Sequence, residues 1–390
     1  MPFAAALSTV SAGVRAVEEV CTQALGRLQA PPDLALLFLS MHHAEAVEEI
    51  TKAARDRLQA RCLLGCTGEA IVGNDQEIEQ QPALSLWLAN WSRPVSLTPF
   101  HLELEETPEG YSLLGWPDAL AEADPEHSAV FLLGDPYSFP TDAFLGQVNE
   151  NHRGLRVMGG MASGGRGPGQ ARLLLNERVL DRGAVGVLLQ GEVGVRSIVS
   201  QGCRPVGHHM VVTRAQDNII LELSGKSPLA QLQQLWQELN AEDRRLLQHG
   251  LHVGRVINEY QGEFHRGDFL VRNVLGVDRE SGALAITDRV RVGQTVQFHV
   301  RDAASADEDL HALLQMDLSA HEARPGGALL FTCNGRGSRL FGQPHHDAQA
   351  VQKETAGLPL AGFFAQGELG PVGGQNFIHG FTASVVLFEE

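Results

Sequence analysis

Cys333, Asn334 and Arg336 stand together in the run 326–337 (GGALLFTCNGRG), where a short apolar strand opens into a glycine-rich turn. Such a turn brings side chains and backbone N–H groups close to a bound group. A guanidinium there can fork onto a carboxylate or phosphate, and a carboxamide both donates and accepts hydrogen bonds. The thiol of Cys333 becomes a nucleophile only as a thiolate with a base at hand. The plainer alternative is that Arg336 and Asn334 satisfy backbone groups of a tight turn. Glu69 and Glu368 each follow a glycine after an apolar strand. They are read as equivalent carboxylates, facing an amine or a cation, or else accepting backbone N–H bonds. His379 lies between a glycine turn and the terminal strand 381–388, the histidine best placed for ligand contact or proton transfer.

The elements that must position these residues repeat. A strand, polar loop, helix, strand and glycine turn occur over 34–39, 44–60 and 62–65, over 129–133, 141–152 and 155–160, and over 329–332, 347–356 and 360–365. That pattern predicts parallel strands joined by a right-handed crossover. Between the units, the short β runs 84–88, 95–104, 171–175, 186–189, 196–200, 210–213 and 219–223 favour antiparallel or mixed sheets. Apolar residues at helical spacing predict a helix over 228–240 with Ser227 as its N-cap. Strands follow at 253–257, 269–274 and 290–300, then a helix over 310–320. Asp347 is read as an N-cap, and residues 1–33 as an opening helix. The expected fold class is α+β: two domains, 1–224 and 225–390, with mixed sheets packed as a layered α–β–β–α arrangement.

Composition bounds the function. With 390 residues, 43% apolar and 20% charged, this is a folded protein with room for two cores. A net charge of −17 argues against nonspecific nucleic-acid binding. No apolar run approaches the roughly 20 residues that span a bilayer, and the first residues lack the basic and apolar regions of a signal peptide. A cytoplasmic location with no membrane partner is expected. The five scattered cysteines do not make a disulfide framework, and on a strand Cys62 and Cys66 would stand about 13 Å apart, too far to share a metal. The His-His pairs at 42–43, 208–209 and 345–346 diverge, so no metal site is expected. Haem would need an axial ligand such as His379, His209 or Cys203, with no attachment motif to accompany it; no cofactor is expected.

Residues 63–69 (LLGCTGE), 200–205 (SQGCRP), 332–337 (TCNGRG), 362–371 (GFFAQGELGP) and 376–382 (NFIHGFT) carry a resemblance to the FIST family, proteins with an N-terminal and a C-terminal FIST domain. The resemblance spans essentially the whole chain. It implies a sensor of small ligands, amino acids or related metabolites among them; it also implies haem binding in some members and an F-box in one branch, for which this chain has no segment to spare. The expected function is a sensory protein binding an amino-acid-like or other small polar metabolite, with any signal passing to a separate partner. The expected ligand-binding set is Arg336, Asn334, Cys333, Glu69, Cys66, Glu368, His379 and Asn376. Arg336 and Asn334 would take the acidic end, and Glu69 or Glu368 the basic end. The alternative is a hydrolase or transferase using Cys333 or the Glu69/Glu368 carboxylates.

Overall fold

A computed structural model describes residues 2–107 and 110–389. Among the described residues there are eight α-helices and 25 strands in mixed sheets, so the fold is α+β with two compact units. The units are not consecutive: one comprises Met1–Ser200 with Leu310–Glu390, the other Gln201–Asp309. A cut at residue 225 therefore falls inside the second unit.

The three repeated units are all present, and all belong to the first compact unit. Strand Leu34–Ser40 runs through helix Val47–Leu58 to the parallel strand Cys62–Gly68. Strand Ser128–Gly134 does the same through Thr141–Asn151 to Arg156–Met161, and Pro325–Cys333 through His346–Glu354 to Leu360–Ala365. The first strand of each is buried along nearly its whole length, which explains unbroken apolar runs such as LALLFLS. Each parallel pair sits inside its own sheet. A return strand lies antiparallel to each first strand: Leu84–Ala89, Ala184–Gly191 and Thr382–Glu389.

After its second strand each unit sends a hairpin into a neighbour's sheet. Ala70–Gly73 and Gln76–Glu79 add to the third unit's strand Leu360–Ala365. Leu173–Leu175 and Arg178–Leu180 add to the first unit's Cys62–Gly68. Glu368–Val372 and Gln375–His379 add to the second unit's Arg156–Met161. The exchange is cyclic and closes on itself. Two sheets have six strands each; the third has seven because Gly110–Leu114 extends its edge beyond Val95–Thr107.

The inner faces of the three sheets share one core, where Phe38, Trp87, Phe131, Phe331, Phe363 and Phe388 meet. Phe38 from the first unit packs 5.2 Å from Phe363 of the third. Helices cover the outer faces, each over a separate apolar cluster. Helices outside and sheets inside was the expectation; the sheets number three around one core, because every hairpin is lent to another sheet. An additional strand, Phe3–Ser8, precedes the helix Gly13–Leu28 within the region read as a single opening helix.

A glycine in each second strand fixes the register. A Cβ on Gly65, Gly159 or Gly362 would lie 2.1, 2.0 or 1.8 Å from the carbonyl oxygen of Leu37, Leu132 or Leu330. Only glycine permits that approach. Counted from these glycines, Ser40, Asp135 and Cys333 are equivalent positions, as are Ala83, Gly183 and Thr382, and Ile71, Leu173 and Glu368.

The second compact unit is a closed barrel of six strands, with helices Pro228–Glu238 and Ala241–His249. Ser227 accepts a hydrogen bond from the Ala230 N–H at 3.3 Å, the N-cap read from the sequence. Arg204 is held here by Asp243 and Asp302, so this family-motif residue is structural in its contacts.

Candidate functional site

At the C-terminal ends of the parallel strands the three units touch. Glu69, Ser163 and Gln366 are equivalent, each four residues beyond its register glycine. The Glu69 N–H donates to Ser163 Oγ at 2.7 Å, Ser163 Oγ donates to the Phe364 carbonyl, and the Gln366 N–H donates to the Met161 carbonyl at 3.0 Å. The glycine turns thus meet at one place, as a pocket reading requires.

Glu69 and Glu368 are nevertheless not equivalent, which corrects the reading that paired them. Glu69 matches Gln366, whereas Glu368 lies six residues beyond Gly362 and matches Ile71 and Leu173. The shared Gly-Glu dipeptide is offset by two residues from the true register. Glu69 is partly exposed and bonds the Arg339 guanidinium at 2.6 Å. Glu368 is fully buried. Its Oε2 accepts from the Thr382 N–H at 3.2 Å and from Thr382 Oγ1 at 2.7 Å, and Oε1 has no hydrogen-bond partner. Burial pushes its carboxyl up to about 8 against those bonds, so it is protonated at neutral pH.

The equivalent corners explain the contact with Thr382. The backbone N–H at that position is met by Ser40 Oγ in the first unit (from Ala83, 3.0 Å) and by Ser138 Oγ in the second (from Gly183, 2.9 Å). In the third unit Cys333 stands where Ser40 does, and the acceptor becomes Glu368.

Arg336 is fully buried, and its Nε and Nη2 fork onto Asp347 at 2.7 and 2.8 Å. It is therefore not open to fork onto a ligand, which corrects that expectation. Asp347 is correspondingly not the N-cap; that position is His345, and Asp347 lies in the first helical turn. Burial alone would raise the Asp347 carboxyl, but the guanidinium holds it well below the carboxylate range. Thr332 Oγ1 donates to the same carboxylate at 2.6 Å. Arg336 Nη1 has no hydrogen-bond partner, and the Phe341 ring centre lies 5.2 Å from the guanidinium carbon. Cys333, Glu77 and Glu368 all act on Arg336 electrostatically. Glu77 is buried too, with its carboxyl pushed up to about 8, first by burial and then by Asp347.

Cys333 and Asn334 are partly exposed. Asn334 Oδ1 is a buried atom with no hydrogen-bond partner, and the Asn334 carbonyl accepts from Arg339 Nη1 at 3.1 Å. His379 is buried opposite Glu368 in the hairpin, with Nε2 2.9 Å from the Gly370 carbonyl. Two expected residues lie elsewhere. Cys66 is sealed in the core, its thiol pushed well above the ordinary value by burial. Asn376 accepts from the Val157 N–H at 2.8 Å and donates to the Leu155 carbonyl at 2.7 Å, fixing its hairpin to the second unit. Arg339 and Glu77 go unnamed in the sequence reading, and Thr382 stands there only as the last residue of a family motif. Aligning the three units on their glycines would have exposed Glu368 and Thr382; nothing in the sequence marks Glu77 or Arg339.

A cavity of about 720 Å³ opens at the opposite ends of the strands, beside Trp91, Arg93, Glu192, Val193, Gly194 and Glu389. Arg93 pairs with Glu192 at 3.2 Å and Arg196 with Glu389 at 2.6 Å. Trp91 Nε1 and Arg196 Nη2 beside the cavity have no hydrogen-bond partner, as is also true of Asn334 Oδ1, Arg336 Nη1 and Glu368 Oε1 in the third unit. Among the described residues no three His, Cys, Asp or Glu converge as a metal set, and no helix is long and apolar enough to cross a membrane.

The fold defines a two-unit α+β protein whose larger unit is a threefold repeat of crossover units with one chemically distinct corner. The FIST N domain matches residues 33–226 and the FIST C domain residues 229–371, and the chain belongs to the FIST family. FIST domains are associated with sensing small ligands in signal transduction. The Mycobacterium tuberculosis uncharacterized protein Rv0628c is 41% identical over 390 residues, 100% of both chains. The Mycobacterium bovis uncharacterized protein Mb0898c is 41% identical over 357 residues, 92% of this chain and 90% of its own.

Proposed function

We propose that the chain is a cytoplasmic sensory protein that binds an amino-acid-like or other small polar metabolite at the third corner, on Glu69, Asn334 and Arg339 beside Cys333. The observation that carries this reading is Arg339. Its guanidinium joins Glu69 to the Asn334 carbonyl, and the Arg339 and Glu69 side chains are 55% and 36% exposed. An exposed ion pair is held weakly in water and is readily exchanged. A zwitterion can replace both halves, its carboxylate on Arg339 and its ammonium on Glu69, with Asn334 Oδ1 as a further acceptor.

Arg339 takes the role first assigned to Arg336, and the buried Arg336–Asp347 pair fixes the turn beneath. Glu368 and His379 support the floor without touching the ligand. Any output passes through a separate partner. Mass spectrometry of small molecules retained by the native protein, followed by calorimetric titration, tests the reading. Arg339→Ala and Glu69→Gln should each weaken binding by about tenfold or more, the loss of one charge-assisted contact. Unchanged affinity in Arg339→Ala would remove the site.

A further inference from the structure

The chain passes twice from a return strand to the next unit's edge strand, through residues 90–94 after Leu84–Ala89 and through residues 192–194 after Ala184–Gly191. Both links, with Ala323 and Glu389, wall the cavity of about 720 Å³. Small-molecule sites occupy roughly 300–1,000 Å³, so this one is of ordinary size for a ligand. Through Trp91 it borders the shared core, the indole standing 6.3 Å edge-on from Phe3 and 6.5 Å from Phe388. The charges around it are paired. Arg93 meets Glu192 at 3.2 Å. Behind the lining, the buried Arg196 donates from Nη1 to the Ala323 carbonyl at 3.2 Å and to Glu389 at 2.6 Å, and from Nε to Asp317 at 2.9 Å. A Cβ on Gly194 would lie 2.0 Å from Glu389 Oε2, so only glycine leaves the carboxylate this place. Two N–H donors remain unmatched: Nε1 of Trp91, a partly exposed residue of the lining, and Arg196 Nη2. Buried donors without an acceptor are rare, and Trp91 sets one beside an open cavity, which points to an acceptor that arrives.

We propose that this cavity is a separate ligand site, for an uncharged, flat aromatic molecule that carries a carbonyl or ring-nitrogen acceptor. The indole of Trp91 supplies a face to stack on, and a small turn of the ring presents Nε1 to the acceptor. Both unmatched groups donate and neither accepts, so a ligand's own donors gain nothing from them. Arg196 is met by two carboxylates, which leaves no positive charge for an anion. A cation would find Glu389 held by Arg196 and Glu192 by Arg93. None of Glu69, Asn334 and Arg339 lines the cavity, so the proposal stands apart from the metabolite site.

The test uses the full chain labelled with nitrogen-15 at its four tryptophans, whose indole N–H signals are followed by NMR. Trp91→Phe assigns the Trp91 signal by its loss. The compounds are coumarin, a flat neutral lactone with acceptors and no donor; naphthalene, of the same shape without an acceptor; and coumarin-3-carboxylate, its anionic counterpart. Coumarin should shift the Trp91 signal saturably and leave those of Trp87, Trp116 and Trp236 in place. Naphthalene and the carboxylate should each bind at least about fivefold more weakly, the loss of one hydrogen bond or the cost of an unmatched charge. By calorimetry, Trp91→Phe should weaken coumarin binding by a similar factor, with the three remaining indole signals reporting an intact fold. An unmoved Trp91 signal, equal shifts at all four indoles, or naphthalene or the carboxylate binding as tightly as coumarin would each overturn the proposal. If the Trp91→Phe variant does not fold, the three compounds on the wild type decide alone, Trp91 then being the signal whose saturable shift is sought against the other three. Arg339→Ala separates the two sites: it should weaken metabolite binding and leave coumarin affinity unchanged, and a loss of coumarin binding there would count against a separate cavity site.

Discussion

The first and third corners of the repeated scaffold solve one structural problem in two ways. In the first, Ser40 Oγ satisfies the Ala83 N–H, and Ile71 fills the core beside it. In the third, a carboxyl occupies the isoleucine's place and reaches the same N–H, now on Thr382, which leaves the serine's place to Cys333. A buried carboxyl is a costly substitute for a hydroxyl and a methyl group. The difference teaches that this scaffold keeps its backbone accounting constant while exchanging which side chain does it, and that the exchange leaves the serine's place to a different residue.

The largest effect should come from breaking the pair that only the third corner has. Asp347→Ala leaves Arg336 buried and uncompensated, and chemical denaturation should show a loss of about 3–5 kcal/mol. Next, Glu368→Ile copies the first corner's apolar residue but strands the Thr382 N–H and hydroxyl, a loss of about 1–3 kcal/mol. Adding Cys333→Ser supplies the first corner's acceptor and should return about 1 kcal/mol or more; strictly additive effects in the double variant would break the equivalence.

Titration sharpens the comparison further. The Glu368 carboxyl is raised from 4.5 to about 8 on folding, so its contribution is fully present below about 4.5 and fades as pH rises toward about 8. Glu77 acts with the same sign. Stability followed against pH in wild type and Glu368→Gln should show a shallower fall in the variant across that window. The barrel carries the opposite sign. Burial lowers His252 and His299 from 6.5 to about 4, so their contribution is complete above about 6.5 and is lost as pH falls toward about 4. His299→Gln should flatten that acid limb alone. The smallest stability change is expected for Arg339→Ala, at most about 1 kcal/mol because its ion pair is exposed. Its readout is ligand affinity.

Much of this was legible before any coordinates. Three strand–helix–strand units could be read because an apolar strand, a turn and a helical stripe are local patterns set by side-chain period. That the polar residues would lie at the strand ends follows from where crossover units place their loops, but whether the glycine turns meet stays open in the sequence. Cys333, Asn334 and Glu69 stand out in the sequence because of the glycines around them. Arg336 was found for its charge and given the wrong partner, because nothing local says that Asp347, eleven residues away and across a helix start, will reach it. Glu368 was matched to Glu69 by a dipeptide, where the true register is carried by a glycine's contact with another strand's carbonyl.

The sequence by itself determined the α+β class, the three units and their family, since each depends on composition, period and short motifs. Tertiary structure alone decided that the hairpins change sheets, that the second compact unit interrupts the first, and that one corner of three holds a buried arginine–aspartate pair and a buried carboxyl. The physical reason is that these are pairings between segments tens to hundreds of residues apart. Burial, hydrogen-bond satisfaction and charge are properties of the neighbours a residue acquires, and the chain acquires them only on folding.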